Sequence, residues 1–209
     1  GGEAIIGNQP VQDELGFQLD MKLKRAARDI EFSFLQGAYN AGANLATARQ
    51  TRGMLAATTT NEVAGGSAAL TQAKVDACLK AMADSGAPFE QPVIFANAFQ
   101  KQKLSSIYSS ALALAPRDRN YGGVNINTLE TDFGEVGIVY SRHIPAEDVL
   151  IADVAFLKPV FLDIPGKGHF FVEPVAQSGA AYKYQVYGEI GLEYGPELFH
   201  GKITSLSTS

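Results

Sequence analysis

Few residues in this chain could carry chemistry: three histidines, one cysteine and a scatter of carboxylates. Two histidines at i, i+4 on one helix could hold zinc, and a cysteine beside a histidine could attack a carbonyl. His143, His169 and His200 are far apart and none has such a partner, so they read as structural side chains. Cys78 falls on the apolar face of a helix and reads as a small core residue. A lone cysteine also excludes a disulfide framework within the chain. Glu130, Asp132 and Glu135 could supply a general acid and base, but acidic residues around a turn ordinarily form a solvated tip.

Asp132-Phe133-Gly134 matches the metal-binding tripeptide of protein kinases, yet no Gly-rich loop, paired lysine or catalytic-loop motif precedes it. It reads as a hairpin turn. Gly166-Lys167-Gly168 lacks the rest of any phosphate cradle, and G-x-S-x-G, P-loop and G-x-G-x-x-G patterns do not occur. The expectation is therefore no enzyme, no metal and no cofactor.

The bulk composition narrows the classes further. The 209 residues are 46% hydrophobic, enough to bury a real core as one domain or two modest ones. Seventeen Lys and Arg against 22 Asp and Glu give a net charge of -5, with no basic block to track a phosphate backbone. Strong direct nucleic-acid binding is not expected. No stretch reaches the ~20 apolar residues that span a bilayer, and the start lacks the pattern of a signal peptide. The expectation is no membrane and assembly in the cytoplasm. Gly1 and Gly2 without a methionine imply a processed end, an expression scar or an excised fragment.

Two long elements must position everything else. Between Val11 and Tyr39 there is no proline, so about 26 residues can wind into one rod of roughly 39 Å. Leu15, Leu19, Leu23, Ala27, Ile30 and Phe34 form one apolar stripe on it, and Phe17, Met21, Phe32 and Leu35 form a second. A helix apolar on two sides is expected to be sandwiched, by its own domain and by a neighbour. From Tyr182 to Tyr194 apolar and polar residues alternate, which predicts one strand of about 43 Å. A rod and a strand of matching length point to an elongated slab, a shape suited to a building block.

Between them, residues 43–69 read as a long connection. Val75, Cys78, Leu79 and Met82, spaced i, i+3, i+4, i+7, predict a helix from Thr71 that Gly86 and Pro88 close. Pro92–Ala96 is a buried strand, and Asn97 caps a helix carrying Leu104, Ile107, Tyr108 and Ala111. Val124–Leu129 and Glu135–Tyr140 pair as a hairpin around the Asp132 turn. Strands at 150–154, 156–162 and 170–175 follow, and 197–205 closes the chain. The order is α+β, with no repeated βαβ units.

Several stretches in series carry a family likeness: Leu23-Lys24-Arg25-Ala26-Ala27-Arg28-Asp29-Ile30-Glu31, Thr51-Arg52-Gly53-Met54-Leu55 and Val93-Ile94-Phe95-Ala96-Asn97-Ala98-Phe99-Gln100-Lys101, then Glu130-Thr131-Asp132-Phe133-Gly134 and His200-Gly201-Lys202-Ile203. Together they resemble the major capsid proteins of tailed bacteriophages, in the SU10-like subgroup. The resemblance implies an HK97-type α+β fold, with a long spine helix and long β-hairpin forming a peripheral domain and a mixed α/β lobe forming the axial domain. It implies that residues 1–63 give the first part of the peripheral domain, 64–165 the axial domain, and 166–209 the closing strands of the peripheral domain. The family places an N-terminal arm and an extended loop before the spine helix; here the helical run opens at Val11, so a fragment or trimmed form is expected.

The implied function is a structural coat protein that assembles with itself into hexamers and pentamers of an icosahedral virion shell of a phage or prophage, in the host bacterial cytoplasm. Scaffolding, portal and decoration proteins are the further partners it implies. Within that reading the loop Arg117, Asp118, Arg119, Asn120 and Tyr121 is the candidate subunit interface, because mixed charges and an aromatic ring suit one. The alternatives are an encapsulin-like nanocompartment shell, a prophage-encoded ligand-binding or hydrolytic α+β domain, and an adaptor or tail component. A convergent polar pocket would favour the hydrolase.

Overall fold

The computed structural model describes residues 4–6, 9–11, 14–44, 46–111, 128–179 and 181–208. The candidate interface at Arg117, Asp118, Arg119, Asn120 and Tyr121 lies outside them, as does 124–127 of the expected hairpin.

A small antiparallel ladder, β1 (Ala4–Ile6) with β2 (Gln9–Val11), precedes the long helix α1 (Glu14–Gln36). The helix holds the whole apolar pattern from Leu15 to Leu35 but opens later than Val11. Val11 is paired with Ala4 in the ladder, and Gly37 ends the helix at the other side. The 23 residues still span about 34 Å.

After α1 come a short helix α2 (Met54–Ala57) and strand β3 (Glu62–Ala64). The segment read as a connection thus supplies a sheet edge, in three residues too few to show alternation. Helix α3 (Gln72–Asp84), β4 (Pro92–Ala96) and α4 (Ala98–Ala111) follow, then β5 (Thr128–Thr131), β6 (Gly134–Tyr140) and β7 (Val149–Asp153). The chain then runs through β8 (Lys158–Phe161), β9 (Phe171–Ser178), β10 (Ala181–Tyr187), β11 (Ile190–Glu193) and β12 (Gly201–Thr204).

One six-stranded mixed sheet, in the order β3-β12-β7-β4-β6-β5, organises the core. Strand β7 shows why: all five of its residues are buried, because apolar layers cover both faces. Val149 and Ile151 join α3 and α4 in one cluster with Val75, Leu79 and Leu104, while Leu150 and Ala152 turn the other way. There they meet Leu35 at the end of α1 and Met54 of α2. The α3 spacing does what it predicts, with Val75, Cys78, Leu79 and Met82 all fully buried.

The last strand departs from expectation. The resemblance puts it with the long hairpin in the peripheral sheet, but β12 sits inside the six-stranded sheet, parallel to β3 and antiparallel to β7. Gly201 explains the placement. A Cβ there would come within 2.9 Å of Met82 Sδ and closer still to Cys78 Sγ, so a glycine is what lets α3 lie on this strand.

The expected 13-residue strand is also two strands. Strand β10 pairs with β9, β11 pairs with β8, and the ladders are separate two-stranded sheets. The break falls at Gly188-Glu189, where a Cβ on Gly188 would meet the His169 carbonyl and the Phe170 ring at 2.9 Å. The 162–170 segment folds in against that bare backbone, and Leu162 N donates to Glu189 O at 3.0 Å.

Candidate assembly surface

The structure scatters the chemistry-bearing residues over unrelated places. His200 is fully buried; its Nδ1 accepts from Asp153 N at 3.2 Å and its Nε2 donates to Tyr194 O at 2.6 Å. Burial pushes its pKa below the ordinary imidazole value, so the ring is a neutral strut. His169 is exposed on the 162–170 segment, 4.0 Å from Asp163. His143 lies against Glu31 of α1, at 3.7 Å. Cys78 is buried beneath β12, and burial drives its thiol up to about 12. Among the described residues no group of three or more His, Cys, Asp or Glu side chains is placed to hold a metal.

Glu130, Asp132 and Glu135 are exposed around a tight turn in which Thr131 pairs with Gly134. Thr131 Oγ1 donates to Gly134 O at 2.8 Å and accepts from Phe133 N, and Gly134 takes φ +118°. The tripeptide is a turn built on a threonine and a glycine, at the edge of the sheet.

Two carboxylates that spacing does not reveal do hold loops together. Asp153 is fully buried and accepts from the amides of Glu90, Gln91 and Ala155, at 2.8, 2.9 and 3.2 Å. Glu197 accepts from the amides of Thr59 and Thr60 and from both hydroxyls. Those donors, Thr60 Oγ1 first, hold its carboxyl down at about 2. Apart from Ala155, each partner is more than 60 positions away in sequence, which no local pattern can encode.

Large apolar side chains also face outward. Among its described side chains helix α1 buries only Leu35; along the rest, Leu15, Met21 and Phe32 are 46%, 52% and 47% exposed, on different sides of the rod. The β8–β11 hairpins continue this surface with exposed Val160, Leu162, Val172 and Tyr184. An open groove of about 1920 Å³ separates helix from hairpins, floored by Ile30, Phe34, Phe161, Val186 and Leu192 and rimmed by Arg49 and Arg52. Arg52 lies over the Tyr39 ring at 4.9 Å. A single subunit would not leave this much aromatic and aliphatic surface on two neighbouring elements without a partner to cover it.

The comparisons with known proteins agree with that surface. The model of the SU10 major capsid protein family matches residues 3–207. No curated protein matches the chain. The fold is similar to the cyanophage A-1(L) capsid asymmetric unit, with TM-score 0.68 and 14% identity over 94% of this chain and 70% of that one. It is also similar to the SrpI encapsulin of Synechococcus elongatus PCC 7942, solved as the holo complex (TM-score 0.64, 13% identity, 94% of this chain and 67% of that one). The satellite phage P4 procapsid, solved with its size determination protein, matches at TM-score 0.54 and 11% identity, over 95% and 66%. At these identities the likeness is one of fold: a mixed α+β, HK97-type architecture. With the family match running across almost its whole length, the chain belongs to the SU10 major capsid protein family.

Proposed function

We propose that this chain is a structural coat subunit, without catalytic activity, that tiles with copies of itself into the icosahedral shell of a tailed phage or prophage. The observation that carries the reading is α1: a 23-residue helix with large apolar side chains exposed on more than one side. Such a helix offers neighbouring copies an apolar surface to cover. Hexamers and pentamers, a place in the virion and assembly in the host cytoplasm belong to the same proposal. Portal, scaffolding and decoration proteins are its further proposed partners.

We assign the peripheral region to residues 1–63 together with the hairpin arm, and the axial lobe to 64–165. We infer the same lobe for strand β12 from its antiparallel pairing with β7. The loop Arg117, Asp118, Arg119, Asn120 and Tyr121 is proposed as an axial subunit contact. Affinity comes from repetition: an interface of standard size buries about 1,600 Å², and closure of a shell multiplies many modest contacts. The family match favours a genome-holding capsid over an enzyme-holding encapsulin. The test is assembly itself, read as particle mass and shape. Particles larger than a capsomer support the proposal, and a permanently monomeric protein refutes it.

A further inference from the structure

Where α1 meets the turn after β6, one imidazole nitrogen is left without a partner. The ring of His143 is largely buried, and its Nε2 makes no hydrogen bond. Glu31 Oε2 faces it at 3.7 Å, inside ion-pair range but too far for a hydrogen bond. The other oxygen of the same carboxylate accepts from Ser141 Oγ at 3.0 Å. Gln36 Nε2, further along α1, donates to the His143 carbonyl, and the Phe32 ring meets the imidazole edge-on at 5.8 Å.

Four side chains on one helix and one turn thus converge on a single histidine. Among the described residues, α1 and the 141–144 turn supply the contacts recorded for it, and Glu31 is the charged group within ion-pair range. Arg28, Asp29 and Arg142, the neighbouring charges in sequence, are exposed. Asn97, which holds the turn from the sheet side through Ile144 O, is neutral.

A neutral imidazole with its proton on Nδ1 leaves this contact open, whereas the protonated ring gains an N–H donor on Nε2 and a counter-ion together. We propose that His143 and Glu31 form a proton-operated latch between the long helix and the six-stranded sheet. Protonation draws Glu31 onto Nε2 and fixes the angle at which α1 leaves the sheet. In the neutral form the helix is held through Ser141, Gln36 and the buried Leu35, and its direction is looser. The outer turns of α1 are exposed within the subunit, so this base sets where the rod points. The latch closes toward the acid side, because only protonation gives the ring its second N–H. It is a property of one subunit and does not depend on the shell reading.

Spin labels at Lys22→Cys and Glu135→Cys, both exposed positions, report the helix-to-sheet distance by pulsed electron resonance. Buried Cys78 stays unlabelled, and dilution into unlabelled protein isolates the intramolecular distance. The expected result is one narrow distance at pH 5 and a several-fold larger spread of distances at pH 8. In Glu31→Gln and in His143→Gln the two distributions coincide. A wild-type distribution that ignores pH, or a pH response that persists in either variant, overturns the latch.

Discussion

The amide of Gly53 donates to the carbonyl of Gly37 at 2.7 Å, and no side chain lies between them. This contact seats the end of α1 on α2, and through Leu35 and Met54 on the sheet. A Cβ on Gly53 would overlap the backbone of Leu35, Gln36 and Gly37, and one on Gly37 would overlap the carbonyls of Ser33 and Thr51.

Backbone atoms cannot swing aside as a flexible side chain can, so Gly53→Ala should destabilise the fold by about 2–3 kcal/mol. Gly191→Ala has open space around it and serves as the comparison, with an expected change within about 0.5 kcal/mol. Urea denaturation of the two variants checks the difference.

The carboxyl of Glu197 sits at about 2 because two hydroxyls and two amides of Thr59 and Thr60 donate to it. Its folded value lies below its unfolded one, so it stabilises above pH 4.5 and loses that contribution as pH falls toward 2. The site is largely exposed, which limits the effect to about 1 kcal/mol. Glu197→Gln should therefore be less stable than wild type by about that amount at pH 7, with the gap closing near pH 2. Denaturant titrations at several pH values measure it.

Cys78 lies under Gly201 with its thiol pushed up to about 12. A disulfide reagent should leave the native protein unmodified and react fully in denaturant, because only the thiolate attacks. Fast native labelling would mean that β12 opens away from α3.

The family's α+β order was legible in the sequence where the signal was local. The α3 spacing places four fully buried residues, Pro92–Ala96 is the strand its run predicts, and the Asp132 turn closes a hairpin. Periodicity shows that α1 has apolar faces but not whether their partner lies in the same chain, and most of that surface is uncovered here. Alternation through 182–194 keeps its phase across Gly188, so it cannot show that the pairing strand changes from β9 to β8. Contacts such as Ser141 with Glu31, or Thr59 with Glu197, join residues more than 100 positions apart and leave no mark on spacing.

Met21 and Leu23 are exposed on α1, and glutamate is as good a helix former as either. The double variant Met21→Glu, Leu23→Glu should keep its melting behaviour within about 0.5 kcal/mol of wild type. Its self-association should fall at least tenfold, because charges buried against a neighbour lose their water. Sedimentation velocity across a concentration series separates the two effects.

The central claim is that copies of this chain build a closed shell, and particle mass tests it most directly. Mass photometry with negative-stain microscopy, on the protein expressed from its full reading frame, should show capsomer rings or closed particles of uniform diameter. A protein that stays monomeric at every concentration would contradict the claim.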